Sequence, residues 1–192
     1  CGGNSRFHGS QGSSVLKLFS LTAASTGINE KAAQAAGIAY DKVVLFPASH
    51  AAYYPGAQSM VMKVLYEKES LRLLGAQIVG GDGVDKRIDV LATAIRAKMT
   101  ALELTELDLS YAPPYSSAKD PVNMAGFMIE DLESGKVRQF HWNDVEDLPC
   151  DGSATLLDVR TAWEYQRGHL DGFRNIPLDD LREHLDELEQ DK

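Results

Sequence analysis

Cysteines are scarce in this sequence, and long apolar runs are absent. Its 192 residues include two cysteines, Cys1 and Cys150, too few for a disulfide framework, so we expect a reduced chain. No apolar run approaches the roughly 18 residues of a membrane-spanning helix, and no basic and then apolar signal peptide opens the chain. We therefore expect a cytoplasmic protein without a membrane partner.

Basic charge is also scarce, above all in the last third of the chain. Residues 1–129 carry 12 basic and 11 acidic side chains, whereas residues 130–192 carry 7 basic and 17 acidic ones. Such a step in charge indicates two units with different surfaces. Because an acidic segment repels phosphates, the sequence argues against a nucleic-acid partner.

Signals for a metal site, a phosphate loop or a reactive thiol are missing too. The five histidines share no metal-ligand spacing, so we expect exposed or capping roles for them and no metal site. The run Gly80-Gly81-Asp82-Gly83 lacks the third glycine of a dinucleotide-binding loop. No nearby pattern of Arg or His lowers the thiol pKa of Cys150, which predicts an inert side chain. The chain begins with Cys1 rather than methionine, so we expect an excised fragment.

What the sequence does contain is a pattern of short strands and helices. Apolar or alternating runs predict strands over residues 14–22, 43–46, 60–66 and 71–79. Asn29 is placed to cap a short helix that ends at Gly37. One apolar stripe predicts a longer helix, and it comprises Ile88, Leu91, Ile95, Met99 and Leu102. Arg87 is among the charged residues that lie outside this stripe. These elements predict an α+β fold, a sheet with flanking helices.

A proline-rich stretch from Tyr111 to Pro121 predicts a stiff loop. It holds three prolines and two tyrosines in eleven residues, and each proline fixes its own φ near −65° and restricts the residue before it. Asp120 is placed as the N-cap of a helix over residues 121–132, with Pro121 at its first position. A rigid loop docked on a helix N-terminus can present phenols and backbone groups to a partner.

The character of the chain changes after Gly135. Residues 155–160 have the pattern of a buried strand that ends in charge, and Thr161 with Glu164 predicts a capping box at the start of a helix. An acidic amphipathic helix is predicted to run to residue 188.

Three segments carry a resemblance to a known family. They are YAPPYSSAKDPVNMAG at residues 111–126, the stretches 12–19 and 24–27, and YYPGA at residues 53–57. In this order they resemble the C-terminal interface domain of FAD-dependent pyridine nucleotide-disulfide oxidoreductases, in the branch of coenzyme A-disulfide reductases and NADH oxidases. The resemblance implies an antiparallel sheet with flanking helices over residues 13–135, and a linker from a missing FAD domain over residues 1–12.

The same resemblance implies roles for particular residues. Tyr53 and Tyr111 match tyrosines that reach the partner subunit's flavin and substrate sulfur, where a neutral phenol would donate a hydrogen bond to a developing thiolate. Tyr54 is the less favoured alternative to Tyr53, and Tyr115 is the less favoured alternative to Tyr111. Whether Tyr53 or Tyr54 matches the family's tyrosine stays open. The backbone of Ala112, Pro113 and Pro114 is expected near the partner's flavin. Interface packing is the alternative for all four tyrosines.

Residues 137–192 resemble the first half of a rhodanese sulfurtransferase domain. In that family a persulfide-forming cysteine follows the next strand, so the resemblance implies a truncated module without its nucleophile. Asp158 and Arg160 match a motif that braces the fold, and here we expect a structural salt bridge.

The resulting prediction is the dimerisation domain of a flavin-dependent NAD(P)H:disulfide oxidoreductase that acts on coenzyme A disulfide, a persulfide or a polysulfide. The parent would be a homodimer that uses FAD and NAD(P)H. The fragment alone is expected to bind neither cofactor and to consume no NADH. Three alternatives stay open: an NADH oxidase or peroxidase parent, a purely structural homodimerisation module and, strongly disfavoured, an independent sulfurtransferase.

Overall fold

The structure, a computed structural model, describes residues 2–149 and 151–188. Cys1 and Cys150 lie outside the described residues, and so do the expectations that concern them. The chain divides into two compact units, Cys1–Arg138 and Gln139–Lys192. Within the described residues, no helix is both long enough and apolar enough to span a bilayer.

The first unit is built on a five-stranded antiparallel sheet with strand order β1-β2-β5-β4-β3. Three α-helices and a short 3₁₀ helix at Leu102–Glu106 accompany the sheet. The strands are β1 Ser14–Leu18, β2 Leu21–Gly27, β3 Tyr40–Leu45, β4 Met60–Glu67 and β5 Leu73–Gly80, and the helices are α1 Glu30–Ala35, α2 Val84–Arg96 and α3 Pro121–Glu133. The predicted α+β class is confirmed.

The predicted strand over residues 14–22 is wrong, because the chain folds there into a hairpin of β1 and β2. The turn lies at Phe19 and Ser20, and Phe19 adopts a positive φ of 52°. No glycine or asparagine marks this turn, so the apolar pattern continues across it without a visible break. The other three predicted strands exist, with ends shifted by at most three residues.

The core lies between one sheet face and helices α2 and α3. Ile88 and Leu91 of α2 are buried there, as the apolar stripe predicts. The helix ends at Arg96, however, so Met99 and Leu102 belong to the following segment. Lys98, at a φ of 64°, turns the chain out of the helix. Arg87, predicted to lie off the apolar stripe of α2, is nevertheless only 1% exposed.

Helix α1 begins as predicted. The Asn29 side chain accepts a hydrogen bond of 2.9 Å from the Ala32 amide, and Gly37 follows the helix at a φ of 66°. Because an N-cap side chain satisfies one of the free amides of the first turn, a helix of only six residues is stabilised there.

Glu30 in the first turn of α1 is the centre of an ion-pair cluster. Its carboxylate accepts hydrogen bonds from Lys42 at 2.6 Å, Lys63 at 2.8 Å and Tyr40 at 3.3 Å. Partial burial on its own raises the pKa of Glu30, but the hydrogen bonds and charges of the two lysines outweigh it and lower the pKa from 4.5 to about 2.

This cluster predicts a loss of stability in acid. Because the folded-state pKa is depressed, the unfolded chain binds more protons, so the contribution of Glu30 is complete above about pH 4.5 and is lost as the pH falls toward about 2. Solvent access limits the contribution to about 1 kcal/mol or less. Urea unfolding between these pH values should show a shallower pH dependence for Glu30→Gln than for the unchanged chain. Identical slopes would contradict the prediction.

The second unit holds a small parallel sheet of β6 Leu157–Asp158 and β7 Arg174–Asn175, with α4 at Ala162–Gln166. The capping box of Thr161 and Glu164 is confirmed. Strand β6 is shorter than predicted and half-buried, and a 3₁₀ helix at Leu181–Glu187 replaces the predicted α-helix.

Asp158 and Arg160 form the expected ion pair, at 2.5 Å between Oδ2 and Nη2. Arg160 also donates to the Gly168 carbonyl at 3.0 Å. This guanidinium therefore ties the end of β6 to the segment after α4, which is a structural role.

Candidate active site

Two loops of the first unit carry the predicted site residues. The first tyrosine loop, residues 46–59, connects β3 to β4, and the second tyrosine loop, residues 107–120, leads from the 3₁₀ helix to α3. A backbone hydrogen bond of 3.1 Å from the Ala51 amide to the Ser116 carbonyl joins the two loops.

The structure brings Tyr53 and Tyr111 together at the tips of these loops. Their hydroxyl oxygens lie 3.1 Å apart, although 58 residues separate them in the chain. The side chains are 76% and 48% exposed. The sequence predicted both residues from separate motifs, and their direct hydrogen bond is a new finding.

The paired hydroxyls leave one donor free. Whichever phenol donates to the other, the accepting phenol keeps its own O–H hydrogen for a third group. The hydrogen bond with Tyr53 raises the pKa of Tyr111 above its ordinary value of 10.0. Since a phenol is neutral at physiological pH even at its ordinary pKa, the pair offers a hydrogen-bond donor toward the exposed side of the loops.

The neighbouring tyrosines are arranged differently. The Tyr54 ring stands edge-on to the His50 ring, with centroids 5.8 Å apart, and the Tyr54 amide donates to the Ala51 carbonyl at 2.9 Å. Tyr54 therefore packs within its own loop. Tyr115 is 71% exposed and lines the same cavity as Tyr111.

That cavity, of about 550 Å³, lies between the second tyrosine loop and the start of α2. Ala112 and Pro114 line it, together with Asp82, Gly83 and Lys86. The Ala112 carbonyl accepts two backbone amides, from Tyr115 at 2.9 Å and from Ser116 at 3.1 Å. These bonds fix a tight turn in which Ala112, Pro113 and Pro114 are half-buried.

The first tyrosine loop is held by Ser49 and His50, both of which are buried. The Ser49 amide donates to the Gln58 carbonyl at 2.8 Å, and the Gln58 amide donates to the Ser49 hydroxyl at 3.2 Å. The His50 Nδ1 lies 3.0 Å from the same hydroxyl. The expectation of an exposed or capping role is therefore wrong for His50, because these polar partners allow its burial.

Arg87 is the most connected residue of the site, and the sequence prediction missed it. Its guanidinium is buried between helix α2 and the two tyrosine loops. It donates to the carbonyls of Ser49 at 2.9 Å, Gly83 at 3.1 Å and Tyr115 at 3.2 Å, to the Ser116 hydroxyl at 3.3 Å and to the Asp120 carboxylate at 3.0 Å.

Asp120 has two roles where the sequence predicted one. As predicted, it caps α3, since its Oδ1 accepts the Val122 amide at 3.1 Å. Its Oδ2 also accepts the Ser116 hydroxyl at 2.7 Å and pairs with Arg87. Burial on its own raises the pKa of Asp120, but these hydrogen bonds and the Arg87 charge lower the pKa below its usual value.

A metal site finds no support in the part of the chain that the structure describes. Across residues 2–149 and 151–188, no three side chains of His, Cys, Asp or Glu come together as ligands. The chemistry available at the tyrosine loops is hydrogen bonding by neutral phenols.

The first of the two units is thus an α+β domain, an antiparallel sheet with flanking helices, that carries a pair of exposed, hydrogen-bonded phenols on two neighbouring loops. The family described as pyridine nucleotide-disulphide oxidoreductase, dimerisation domain, matches residues 13–121, and a rhodanese-like domain matches residues 141–192. The chain belongs to the family of pyridine nucleotide-disulphide oxidoreductase dimerisation domains, followed by a rhodanese-like domain. The predicted resemblance is confirmed in both parts, while the boundaries at residues 12, 135 and 137 stay predictions.

Curated relatives are similar to the first unit. The chain is 44% identical over 126 residues to the coenzyme A disulfide reductase of Staphylococcus haemolyticus, a match that covers 66% of this chain and 28% of that protein. It is 41% identical over 121 residues to the coenzyme A disulfide reductase of Staphylococcus aureus, covering 63% and 27%. The chain thus spans less than a third of the curated relatives that it matches.

Solved structures show the same fold. The chain superimposes with a TM-score of 0.90 and 46% identity on the reduced CoADR-RHD of Bacillus anthracis, covering 98% of this chain and 34% of that one. The NAD-dependent persulfide reductase of A. fulgidus gives a TM-score of 0.88 and 40% identity, covering 100% and 34%. The water-forming NADH oxidase of Lactobacillus brevis, at 21% identity and a TM-score of 0.64, shares the fold alone.

Proposed function

We propose that this chain is the dimerisation domain of a flavin-dependent NAD(P)H:disulfide oxidoreductase, and that Tyr53 and Tyr111 complete the active site of the partner subunit in a homodimer. The observation that carries the proposal is the hydrogen bond of 3.1 Å between the two exposed hydroxyls. Phenols that serve only to fill an interface need no mutual hydrogen bond at its surface.

The proposed task of the pair is to donate a hydrogen bond to a sulfur atom that becomes a thiolate. A donor aimed at developing charge lowers the barrier most in a site from which water is excluded. A phenol with its ordinary pKa of about 10 is protonated near neutral pH, and the hydrogen bond with Tyr53 raises the pKa of Tyr111 further. A partner subunit closing over Tyr53 and Tyr111 would remove the water that now has access to them.

The proposed neighbour of the second tyrosine loop is a planar aromatic cofactor. Proline has no amide hydrogen, so Pro113 and Pro114 offer apolar ring surfaces rather than donors, and the turn at Ala112 holds them in place. The proposed cofactors are FAD and NAD(P)H, bound by other parts of the protein, and the flavin would supply electrons to the disulfide. The backbone of Ala112, Pro113 and Pro114 would form part of the wall of the partner's flavin pocket.

The proposed substrate class is coenzyme A disulfide or a persulfide. Support comes from the names of the coenzyme A disulfide reductase relatives and of the persulfide reductase structure, all of which are at least 40% identical to this chain. An oxidase or peroxidase is the alternative, but the NADH oxidase structure at 21% identity shares only the fold and adds no support for that activity.

A comparison of Tyr53→Phe with Tyr54→Phe tests the assignment between these neighbours. In the full-length protein, Tyr53→Phe removes the hydrogen bond to Tyr111 but leaves the Tyr111 hydroxyl, so kcat for disulfide reduction should fall by about 3- to 10-fold, the effect of one hydrogen bond. Tyr54→Phe should change kcat little, because the Tyr54 ring packs against His50. NADH consumption with coenzyme A disulfide measures both.

The opposite ranking would assign the role to Tyr54. Equal turnover in both variants and the unchanged protein would favour the structural homodimerisation module.

A further inference from the structure

Arg87 occupies a place in the fold that is unfavourable for a cation. It is the fourth residue of α2, where the positive end of the helix dipole disfavours positive charge. Its side chain is almost fully buried, and burial of an unpaired charge costs several kcal/mol, roughly. Asp120 neutralises that charge. Apart from one bond to the Gly83 carbonyl at the start of α2, the remaining hydrogen bonds of Arg87 go to groups in the tyrosine loops.

The acceptors of the guanidinium within the tyrosine loops are divided between the two loops. Ser49, which lies four residues before Tyr53, belongs to the first tyrosine loop. Tyr115, which lies four residues after Tyr111, belongs to the second, as does Ser116. A single planar group thus joins both loops to each other and to helix α2.

We propose that Arg87 is a positioning residue that sets the distance between the two tyrosine loops and so holds the Tyr53 and Tyr111 hydroxyls within hydrogen-bonding distance. Its effect on the tyrosine pair is a property of this chain alone. Its effect on turnover rests on the proposed function.

The geometry calls for arginine rather than lysine. Nη2 is shared among Ser49, Tyr115, Ser116 and Asp120, while Nη1 donates to Gly83 and Nε donates to Asp120. A planar guanidinium can serve these separate positions at once, whereas a single ammonium nitrogen cannot. Lys86 already lies 3.7 Å from Asp120, so charge near that carboxylate is not limiting. Arg87→Lys would keep the ion pair and lose the simultaneous bonds to Ser49 and Tyr115.

A spectroscopic experiment on the 192-residue chain tests the proposal without reference to activity. The seven tyrosines carry carbon-13 at the ζ carbon, whose chemical shift responds to hydrogen bonding of the phenol, and Tyr→Phe variants assign Tyr53 and Tyr111. The Tyr53→Phe variant shows where the Tyr111 resonance lies without its partner. Arg87→Lys should move this resonance most of the way to that position at neutral pH.

Two further variants keep the test decisive. Arg96→Lys, at the exposed end of the same helix, is the matched control and should leave both resonances in place. Ser116→Ala deletes one acceptor of Arg87 and one donor to Asp120 but retains the charge pair, so it should move both resonances in the same direction by less. If Arg87 had only a structural role, its substitution would lower the unfolding temperature and leave the resonances in place. That result would overturn the proposal.

In the full-length protein, Arg87→Lys should lower kcat by about 3- to 10-fold with little change in KM, since the bonds that it loses orient rather than bind. Tyr111→Phe added to Arg87→Lys should then lower kcat by a smaller factor than Tyr111→Phe does in the unchanged protein. Should Tyr111→Phe alone leave turnover unchanged, the proposed function fails while the resonances still decide the role of Arg87. Resonances that stay in place in Arg87→Lys and Ser116→Ala exclude the positioning role even if Tyr111→Phe is impaired.

Discussion

Tyr111→Phe in the full-length protein should lower kcat for disulfide reduction by about 10-fold or more, the scale of one donor lost from a transition state. The substitution keeps the ring, and with it the wall of the cavity next to α2. It removes the hydroxyl that pairs with Tyr53. Because the lost interaction is with the developing thiolate, kcat should fall more than KM rises. Steady-state consumption of NADH with coenzyme A disulfide measures the effect.

Tyr115→Phe is the matched control, since Tyr115 lies on the same loop and lines the same cavity. It should retain most of the turnover. The double variant with Phe at positions 53 and 111 should have a kcat only slightly below that of Tyr111→Phe. The effects of removing two groups that act through one hydrogen bond are not additive. A Tyr111→Phe enzyme with full turnover would leave both phenols with interface packing only.

The sequence predicted the loops that carry the candidate site but not the bond between them. Two prolines and an Asp-Pro helix start show that residues 111–121 are stiff, and the structure confirms Asp120 as the cap. That Tyr53 and Tyr111 meet depends on a contact across 58 residues. Neither periodicity nor local spacing carries information at that separation.

Arg87 could not be placed from the pattern of α2 because its partners are distant in sequence. Helical periodicity puts it off the apolar stripe, which usually means exposure to solvent. A weak signal was present: Lys86 and Arg87 both stand in the first turn of α2, where the helix dipole disfavours cations. Such a placement indicates that acceptors lie nearby, although it does not identify them.

The hairpin of β1 and β2 was missed for a different reason. Its turn at Phe19 and Ser20 uses a positive φ in a residue that rarely adopts one, so the turn chemistry is invisible in the composition. In the second unit, the predicted helix near residue 185 was replaced by 3₁₀ turns, because an amphipathic pattern does not distinguish the two helix types over so few residues.

Asp120→Ala should lower the free energy of unfolding by about 3–5 kcal/mol, the range for breaking a buried ion pair by removing one partner. Arg87 would keep its charge in a buried site without its counter-ion. The same change removes the side-chain cap of α3, which alone is worth about 0.5–2 kcal/mol. Urea unfolding at neutral pH, followed by circular dichroism, measures the loss.

Two variants separate the ion pair from the cap. Asp120→Asn keeps a side-chain oxygen for the Val122 amide. It loses the charge and replaces the oxygen that accepts from Arg87 and Ser116 with an NH2 donor. Because the cap is retained, its loss of stability should be smaller than that of Asp120→Ala. Asp131→Ala removes a carboxylate from the same helix that pairs with Lys136 at the surface, and it should cost about 0.5 kcal/mol or less. If Asp120→Ala lowered the free energy of unfolding as little as Asp131→Ala does, then Arg87 and Asp120 would not be the buried link between α2 and the second tyrosine loop. The loops would then owe their arrangement to the Ala51–Ser116 backbone bond and the turn at Ala112 instead.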